Sequence, residues 1–161
     1  ATSEDRSDDV LFELCTAQGI DCIRGSLTNV LGRFIKAINE FPTDHVLRLT
    51  ADCPLIDGQI IDQLIEHHIK KSADYTSNAL QRTFPKGLDC EIIKSKTLRE
   101  VYAKEISDFD KEHVTPYIYQ TKGAFSVENF VQESDFSFLR WTVDYPEDFE
   151  FVNQVYKNLL E

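Results

Sequence analysis

The sequence predicts an α/β fold, with a Rossmann-like, mostly parallel sheet flanked by helices. Three observations carry this reading. From residue 8 onward the apolar spacing runs helix, strand, helix, strand, helix, the alternation of a parallel sheet covered on its faces. Two strand-like runs end in an acid with a proline two residues on, Asp52 with Pro54 and Asp144 with Pro146. The 161 residues, with 42% hydrophobic content, suit one domain with a real core, taken here as residues 1–161.

Ala1, Thr2 and Ser3 read as the end of a strand. The chain does not open on Met, and the expectation is that a first strand and its loop are missing ahead of Ala1. Val10, Leu11, Leu14 and Cys15 lie at helical spacing within residues 8–18, with Ser7 as cap and Gly19 as stop. Residues 20–23 are expected to form a short strand, with Arg24, Gly25 and Ser26 as the loop at its carboxyl end. A helix over 28–40 turns Val30, Leu31, Phe34, Ile35 and Ile38 inward, and Phe41-Pro42 ends it.

The central strand, 46–49, is aliphatic and expected to be buried. Asp52 stands where it runs out, and Pro54 cannot continue a ladder. Asp57 caps a helix over 58–71 that buries Ile60, Ile61, Leu64, Ile65 and Ile69. A strand over 74–78 follows, then a polar loop, 80–87, with Arg82, Pro85, Lys86 and Gly87. A strand over 88–93 carries Asp89 and Glu91 on one face, because alternate strand residues share a face. Ser95 caps a helix over 96–105. A charged linker, 107–112, leads into 113–119, which reads as helical or irregular. Strands are expected at 125–131 and 139–143. A last helix opens at Tyr145-Pro146 with Glu147 and Asp148 at its positive end, and turns Phe149, Val152, Val155, Tyr156 and Leu159 to the core.

The net charge of −11, from 17 basic and 28 acidic residues, argues against a broad nucleic-acid or anionic-membrane surface. It leaves room for a nucleotide site, since a metal ion and a few arginines hold phosphates locally. No apolar run approaches a membrane span, and no signal peptide is visible. The four cysteines, Cys15, Cys22, Cys53 and Cys90, lack CxxC spacing, which argues against zinc or a redox dithiol. Free thiols in a reducing cytoplasm are the default, with two disulfides as the alternative.

In an open α/β sheet, ligands sit beyond the carboxyl ends of strands. Asp52 is therefore a candidate metal or substrate group; the other reading is an Asx-turn. Asp144 is either a second acid of the same kind or an ordinary N-cap. Two such acids at neighbouring strand ends suit a hard divalent cation, which takes oxygen ligands.

The run Arg48-Leu-Thr-Ala-Asp52-Cys-Pro-Leu-Ile-Asp57 resembles the cytidylyltransferases that activate acidic sugars, in the branch named for spore coat polysaccharide biosynthesis protein F. Sialic-acid and ketodeoxyoctonate CMP-sugar synthetases are more distant relatives. The resemblance extends through Arg24-Gly25-Ser26, Asn29 to Arg33, Tyr75 to Asn78, Phe84 to Glu91, Glu112 to Tyr117 and Arg140 to Asp148. It implies a nucleotide-diphospho-sugar transferase fold and a reaction that joins CTP to a sugar acid, giving a CMP-sugar and pyrophosphate for surface glycan synthesis.

By the same resemblance, Asp52 and Asp144 hold Mg²⁺ and serve catalysis. Ser26, Asn29, Arg33, Thr50 and Ala51 surround the nucleotide. Asn78, Gly87, Asp89, Glu91, His113 and Arg140 face the sugar; the other readings are a polar strand face for Asp89 and Glu91, a helix cap or dimer contact for His113, and an internal pair with an Asp for Arg140. His45, His67 and His68 are expected at surface positions and receive no role. A cytoplasmic homodimer is expected. The family opens with a strand and a phosphate-gripping loop that nothing before Ala1 supplies, so the fold is expected to lack both. The alternative is a non-catalytic remnant or interaction module of the same fold. A cysteine hydrolase using Cys90 or Cys53 with His113 is a third reading.

Overall fold

The computed structural model describes residues 1–159; the last two residues of the expected 1–161 domain lie outside the described residues. In chain order the elements begin with β1 (Thr2–Ser3), a 3₁₀ turn (Arg6–Asp8), α1 (Asp9–Ala17), β2 (Arg24–Gly25), α2 (Val30–Glu40), β3 (His45–Arg48) and α3 (Gly58–Lys71). They continue with β4 (Tyr75–Ser77), β5 (Glu91–Lys94), α4 (Ser95–Tyr102), α5 (Asp108–His113), α6 (Pro116–Gln120), β6 (Val127–Asn129) and α7 (Pro146–Leu159). The chain divides into two compact units, Ala1–Val46 with Lys94–Phe125, and Leu47–Ile93 with the chain from Ser126.

In the first unit β1 and β2 pair in parallel, Thr2 opposite Arg24 and Ser3 opposite Gly25. The strand expected at 20–23 thus lies later, at Arg24–Gly25. The reason is Arg24, whose guanidinium donates to the carbonyls of Ser3 (2.7 Å) and Asp5 (2.9 Å) and pairs with Asp9 (2.7 Å). Those bonds reinforce a backbone ladder in which the Thr2 amide donates to Ile23 and the Glu4 amide to Gly25, both at 2.8 Å, so the pairing with β1 begins only at the end of the 20–23 run. Ser7 does not cap α1; it lies inside the 3₁₀ turn, which Asp5 caps, and Asp8 precedes α1. Gly19 ends this segment with φ +68°, a left-handed conformation that glycine adopts without strain. The apolar residues of α1 stay outside: Val10 is 74% exposed and Leu14 57%.

Helix α2 buries Leu31, Ile35 and Ile38 and packs on α4 and α5. Leu98 and Val101 of α4 are fully buried, as are Val114 and Ile118. The charged stretch expected as a linker is α5. Ser107 caps it by accepting from the Asp110 amide, and acids in its first turn suit the positive end of the helix. Ser95 is the first residue of α4 rather than its cap.

In the second unit the strand order is β3-β5-β4-β6. Strand β4 pairs in parallel with β6 and antiparallel with β5. The sheet packs around Leu64, Cys90 and Ile92, with Leu47, Ile56, Ile60, Ile65 and Phe130 at the margin. Helix α3 has the expected bounds, and Asp57 caps it through Oδ1, which accepts from the Gln59 amide at 2.8 Å. Its Ile69, expected inside, is exposed, and His68 is fully buried instead, its Nδ1 2.8 Å from the Thr76 hydroxyl. The polar bond lets an imidazole occupy a core position. Strand β3 is half-buried rather than buried.

Residues 139–143 do not form a strand. They follow Lys86 through one parallel bridge at Arg140, then turn toward Asp52. Of the expected core face of α7, Val152 is buried, while Phe149, Tyr156 and Leu159 are exposed. Much of that stripe lines a cleft rather than the core.

Candidate functional site

The site begins in the turn after β3. The Cys53 amide donates to Thr50 (3.1 Å), and the Ile56 amide to Cys53 (3.3 Å), which folds residues 50–56 tightly. Cys53 is buried and anchors the turn, with its Sγ 3.4 Å from the Thr50 hydroxyl and 3.7 Å from Asp52 Oδ1. Burial pushes the Cys53 thiol above its usual range. With Cys53 inward, Ala51 and Asp52 face solvent.

Residues 139–144 cross this turn. The Val143 amide donates to the Asp52 carbonyl at 2.8 Å. The Thr142 hydroxyl donates to the same carbonyl at 3.1 Å and lies 3.4 Å from Asp52 Oδ2. Upstream, the Lys86 amide donates to Leu139 (3.0 Å), and Trp141 returns a bond to Lys86 (2.6 Å). Gly87 permits this approach. Its φ is +106°, and a Cβ there would sit 2.5 Å from the Thr142 nitrogen and the Trp141 carbonyl carbon. Three segments distant in sequence thus hold one another by their backbones.

A charge cluster follows. Asp144 Oδ2 receives Arg140 Nη2 at 2.9 Å and Lys86 Nζ at 3.2 Å. Both cations hold the Asp144 carboxyl below the usual carboxylate range, Arg140 most strongly. Asp148 accepts from the Asp144 amide (2.9 Å), the Tyr145 amide (3.0 Å) and two nitrogens of Arg140. The Arg140 guanidinium and the backbone amide bonds lower the Asp148 carboxyl to about 2. Arg140 also lies over the Tyr145 ring, 5.4 Å from its centroid. Lys86, Thr142 and Asp148 were not singled out by sequence reasoning. The signal for Asp148 was present: it stands three residues after Tyr145, at capping-box spacing.

The remaining candidates have other partners. Asn78 is fully buried; its amide donates to Leu88 (2.7 Å) and accepts from Cys90 (2.9 Å), so it shapes the backbone that carries Asp89. Asp89 is held by both ends of the Arg82 fork. Glu91 takes Arg48 and the Tyr75 hydroxyl.

Ser26, Asn29, Arg33 and His113 belong to the first unit. Ser26 Oγ accepts from the Asn29 amide (3.2 Å), and Asn29 caps α2 through the Gly32 amide (2.9 Å). Arg33 runs along Gly25, and its buried Nε has no hydrogen-bond partner. His113 is exposed at the end of α5, its ring 4.3 Å from that of Phe109.

Beside the Asp52 turn, Pro54 to Gly58, Trp141 and the α7 residues Phe151, Val155, Tyr156 and Leu159 line a cleft of about 570 Å³. The Tyr156 hydroxyl donates to the Pro54 carbonyl at 2.8 Å across it. Its walls are largely apolar, unlike the charged cluster.

The donor chemistry of Asp52 and Asp144 fits a hard divalent cation. Asp52 is exposed, and Asp144 is kept ionised by its cationic neighbours. Among the described residues no three His, Cys, Asp or Glu side chains converge as a metal cage. Mg²⁺ does not require one, since it takes one or two carboxylates and completes its shell with phosphates and water.

A cytidylyltransferase family profile matches residues 1–159. The chain is 30% identical over 164 residues to an uncharacterised protein of Methanocaldococcus jannaschii, covering 98% of this chain and 65% of the relative. It is 32% identical over 162 residues to spore coat polysaccharide biosynthesis protein SpsF of Bacillus subtilis, again covering 98% and 65%. The chain therefore spans about two thirds of the length of these curated relatives. Among solved structures it is similar to a cytidylyltransferase from Leptospira borgpetersenii serovar Hardjo-bovis. The TM-score is 0.92 at 29% identity, covering 99% of this chain and 68% of that one.

Proposed function

The chain belongs to the cytidylyltransferase family, and from that premise we propose that it serves transfer of CMP from CTP to a sugar acid of the nonulosonic type, with release of pyrophosphate. The observation that carries this reading is the strap between the two acid-bearing segments, Val143 amide to Asp52 carbonyl at 2.8 Å, with two cations on Asp144 beside it. The likeness to a spore coat polysaccharide biosynthesis protein supports a role in surface glycan synthesis.

In this proposal a sugar hydroxyl attacks the α-phosphate of CTP and pyrophosphate leaves. Asp52 and Asp144 would hold Mg²⁺, which when bound supplies neutralisation of charge on the phosphate oxygens. Asp148 fixes the backbone of Asp144 and one edge of Arg140. Arg140, whose Nε and Nη2 are taken by Asp148 and Asp144, would meet the sugar acid through Nη1 alone. Gly87 lets the 86–87 backbone lie against Trp141 and Thr142. Thr50 and Ala51 would line the nucleotide side. Asn78 shapes the segment that would carry Asp89 and Glu91 toward the sugar. A cytoplasmic homodimer completes the proposal, and light scattering on the purified protein tests the dimer.

The deciding experiment is CTP-dependent pyrophosphate release by the full-length protein across a panel of sugar acids. Asp52→Asn and Asp144→Asn are expected to lower turnover by roughly a hundred-fold or more. Equal turnover in both variants and the parent overturns the site. Greater Mg²⁺-dependent thermal stabilisation by ATP than by CTP overturns the nucleotide.

A further inference from the structure

Resting on that reading of Asp144, we infer that Lys86 competes with the divalent cation for this acid, and that the ammonium the cation displaces then takes an anionic oxygen of the substrate. Two cations share Asp144 Oδ2, and they are not equivalent. Arg140 has a second carboxylate, Asp148, bound through two of its nitrogens. Lys86 pairs with Asp144. The cluster of Lys86, Arg140, Asp144 and Asp148 balances two positive charges against two negative ones. A divalent ion on Asp144 adds positive charge and takes the acid that Lys86 shares. Arg140 remains neutralised by Asp148, so Lys86 is the group left in need of an anion.

The local architecture suits a swing of one side chain. The Lys86 backbone is bonded to Leu139 and Trp141 on one side and fixed by the left-handed Gly87 on the other. The origin of the stem is therefore immobile. The side chain beyond it is 49% exposed, and an ammonium on a flexible four-carbon stem changes partners at little cost. A compact point charge accepts either a phosphate oxygen of the nucleotide or the carboxylate of the acceptor. The shared chemistry is an anionic oxygen brought to the site after the cation.

The full-length protein tests this with Mn²⁺ as the spin probe, read by electron paramagnetic resonance without substrates. Lys86→Gln is expected to bind Mn²⁺ roughly two- to five-fold more tightly than the parent, because a competing partner is gone. In saturating Mg²⁺ the same variant is expected to bind its anion roughly ten-fold more weakly. Inorganic pyrophosphate and a 2-keto sugar acid are titrated separately, and the arm that weakens names the source of the oxygen. Loss of packing alone does not move the two affinities in opposite directions. Unchanged Mn²⁺ affinity in Lys86→Gln, or no weakening in either anion arm, overturns the inference. Asp144→Asn is the control: if it leaves Mn²⁺ binding intact, the metal reading of Asp144 itself fails.

Discussion

The Thr142 hydroxyl donates to the Asp52 carbonyl at 3.1 Å and lies 3.4 Å from one oxygen of the Asp52 carboxylate. Thr142 is 1% exposed, so this is a buried polar contact that fixes an exposed acid from below. Thr142→Val keeps the branched shape and removes the hydroxyl, while the Val143 amide bond to Asp52 remains. The expected stability loss is about 1 kcal/mol, read from urea unfolding. A loss indistinguishable from zero removes Thr142 as a support of the acid.

Gly87 is the position where the site depends on the absence of a side chain. Gly87→Ala places a methyl 2.5 Å from backbone atoms of residues 141 and 142, in a left-handed conformation that alanine resists. Backbone atoms cannot move aside as a flexible side chain does. The expected cost is roughly 2–5 kcal/mol by chemical unfolding, from strain and overpacking together. A variant as stable as the parent contradicts the close packing of 86–87 on 141–142.

Among the acids held below the usual carboxylate range, two are lowered furthest. The Asp148 carboxyl is lowered from 3.8 to about 2 by Arg140 and the amides of Asp144 and Tyr145. The Asp8 carboxyl is also lowered from 3.8 to about 2, by bonds from Ser3 and Thr2. As pH falls below 3.8 the unfolded chain takes up these protons before the folded one. The stability they supply is complete above pH 3.8 and is lost as the pH falls toward about 2. Asp148→Asn is expected to flatten the dependence of the urea midpoint on pH within that window. An unchanged slope contradicts the assignment.

The thiols divide by depth. Cys90 is fully buried, and burial with the nearby charges of Asp89 and Glu91 pushes it up to about 12. Cys53 is buried as well, whereas Cys15 and Cys22 are half-buried. Iodoacetamide at mildly alkaline pH is expected to alkylate Cys15 and Cys22 first, and Cys53 and Cys90 only on unfolding, as mass spectrometry resolves. Rapid modification of Cys90 in the native protein revives the cysteine-hydrolase reading that its burial disfavours.

Local signals in the sequence carried far where one residue sufficed to make the local structure. Asp57 with a helical apolar pattern yielded α3 with its true bounds, whereas β3 ends at Arg48, ahead of Asp52 and Pro54, which belong to the turn after it. Reading failed where a distant partner decided. Arg24 carried β2 past the aliphatics at 20–23. The cap of α5 is by contrast local, Ser107 accepting from the Asp110 amide three residues on, a signal that the run of charges obscures. Residues 139–143 have strand-like composition but bond in turn to Lys86 and Asp52, so no ladder forms.

From the sequence alone came the α/β class, the family resemblance and the acids Asp52 and Asp144, because hydrophobic period and residue chemistry are written along the chain. The tertiary structure decided which cations those acids meet, that Asn78 is an internal brace, and that Gly87 makes the crossing possible. The decisive ones, Lys86 with Asp144 and Gly87 with Thr142, join residues dozens of positions apart. They depend on how the backbone returns to itself, which no local pattern encodes.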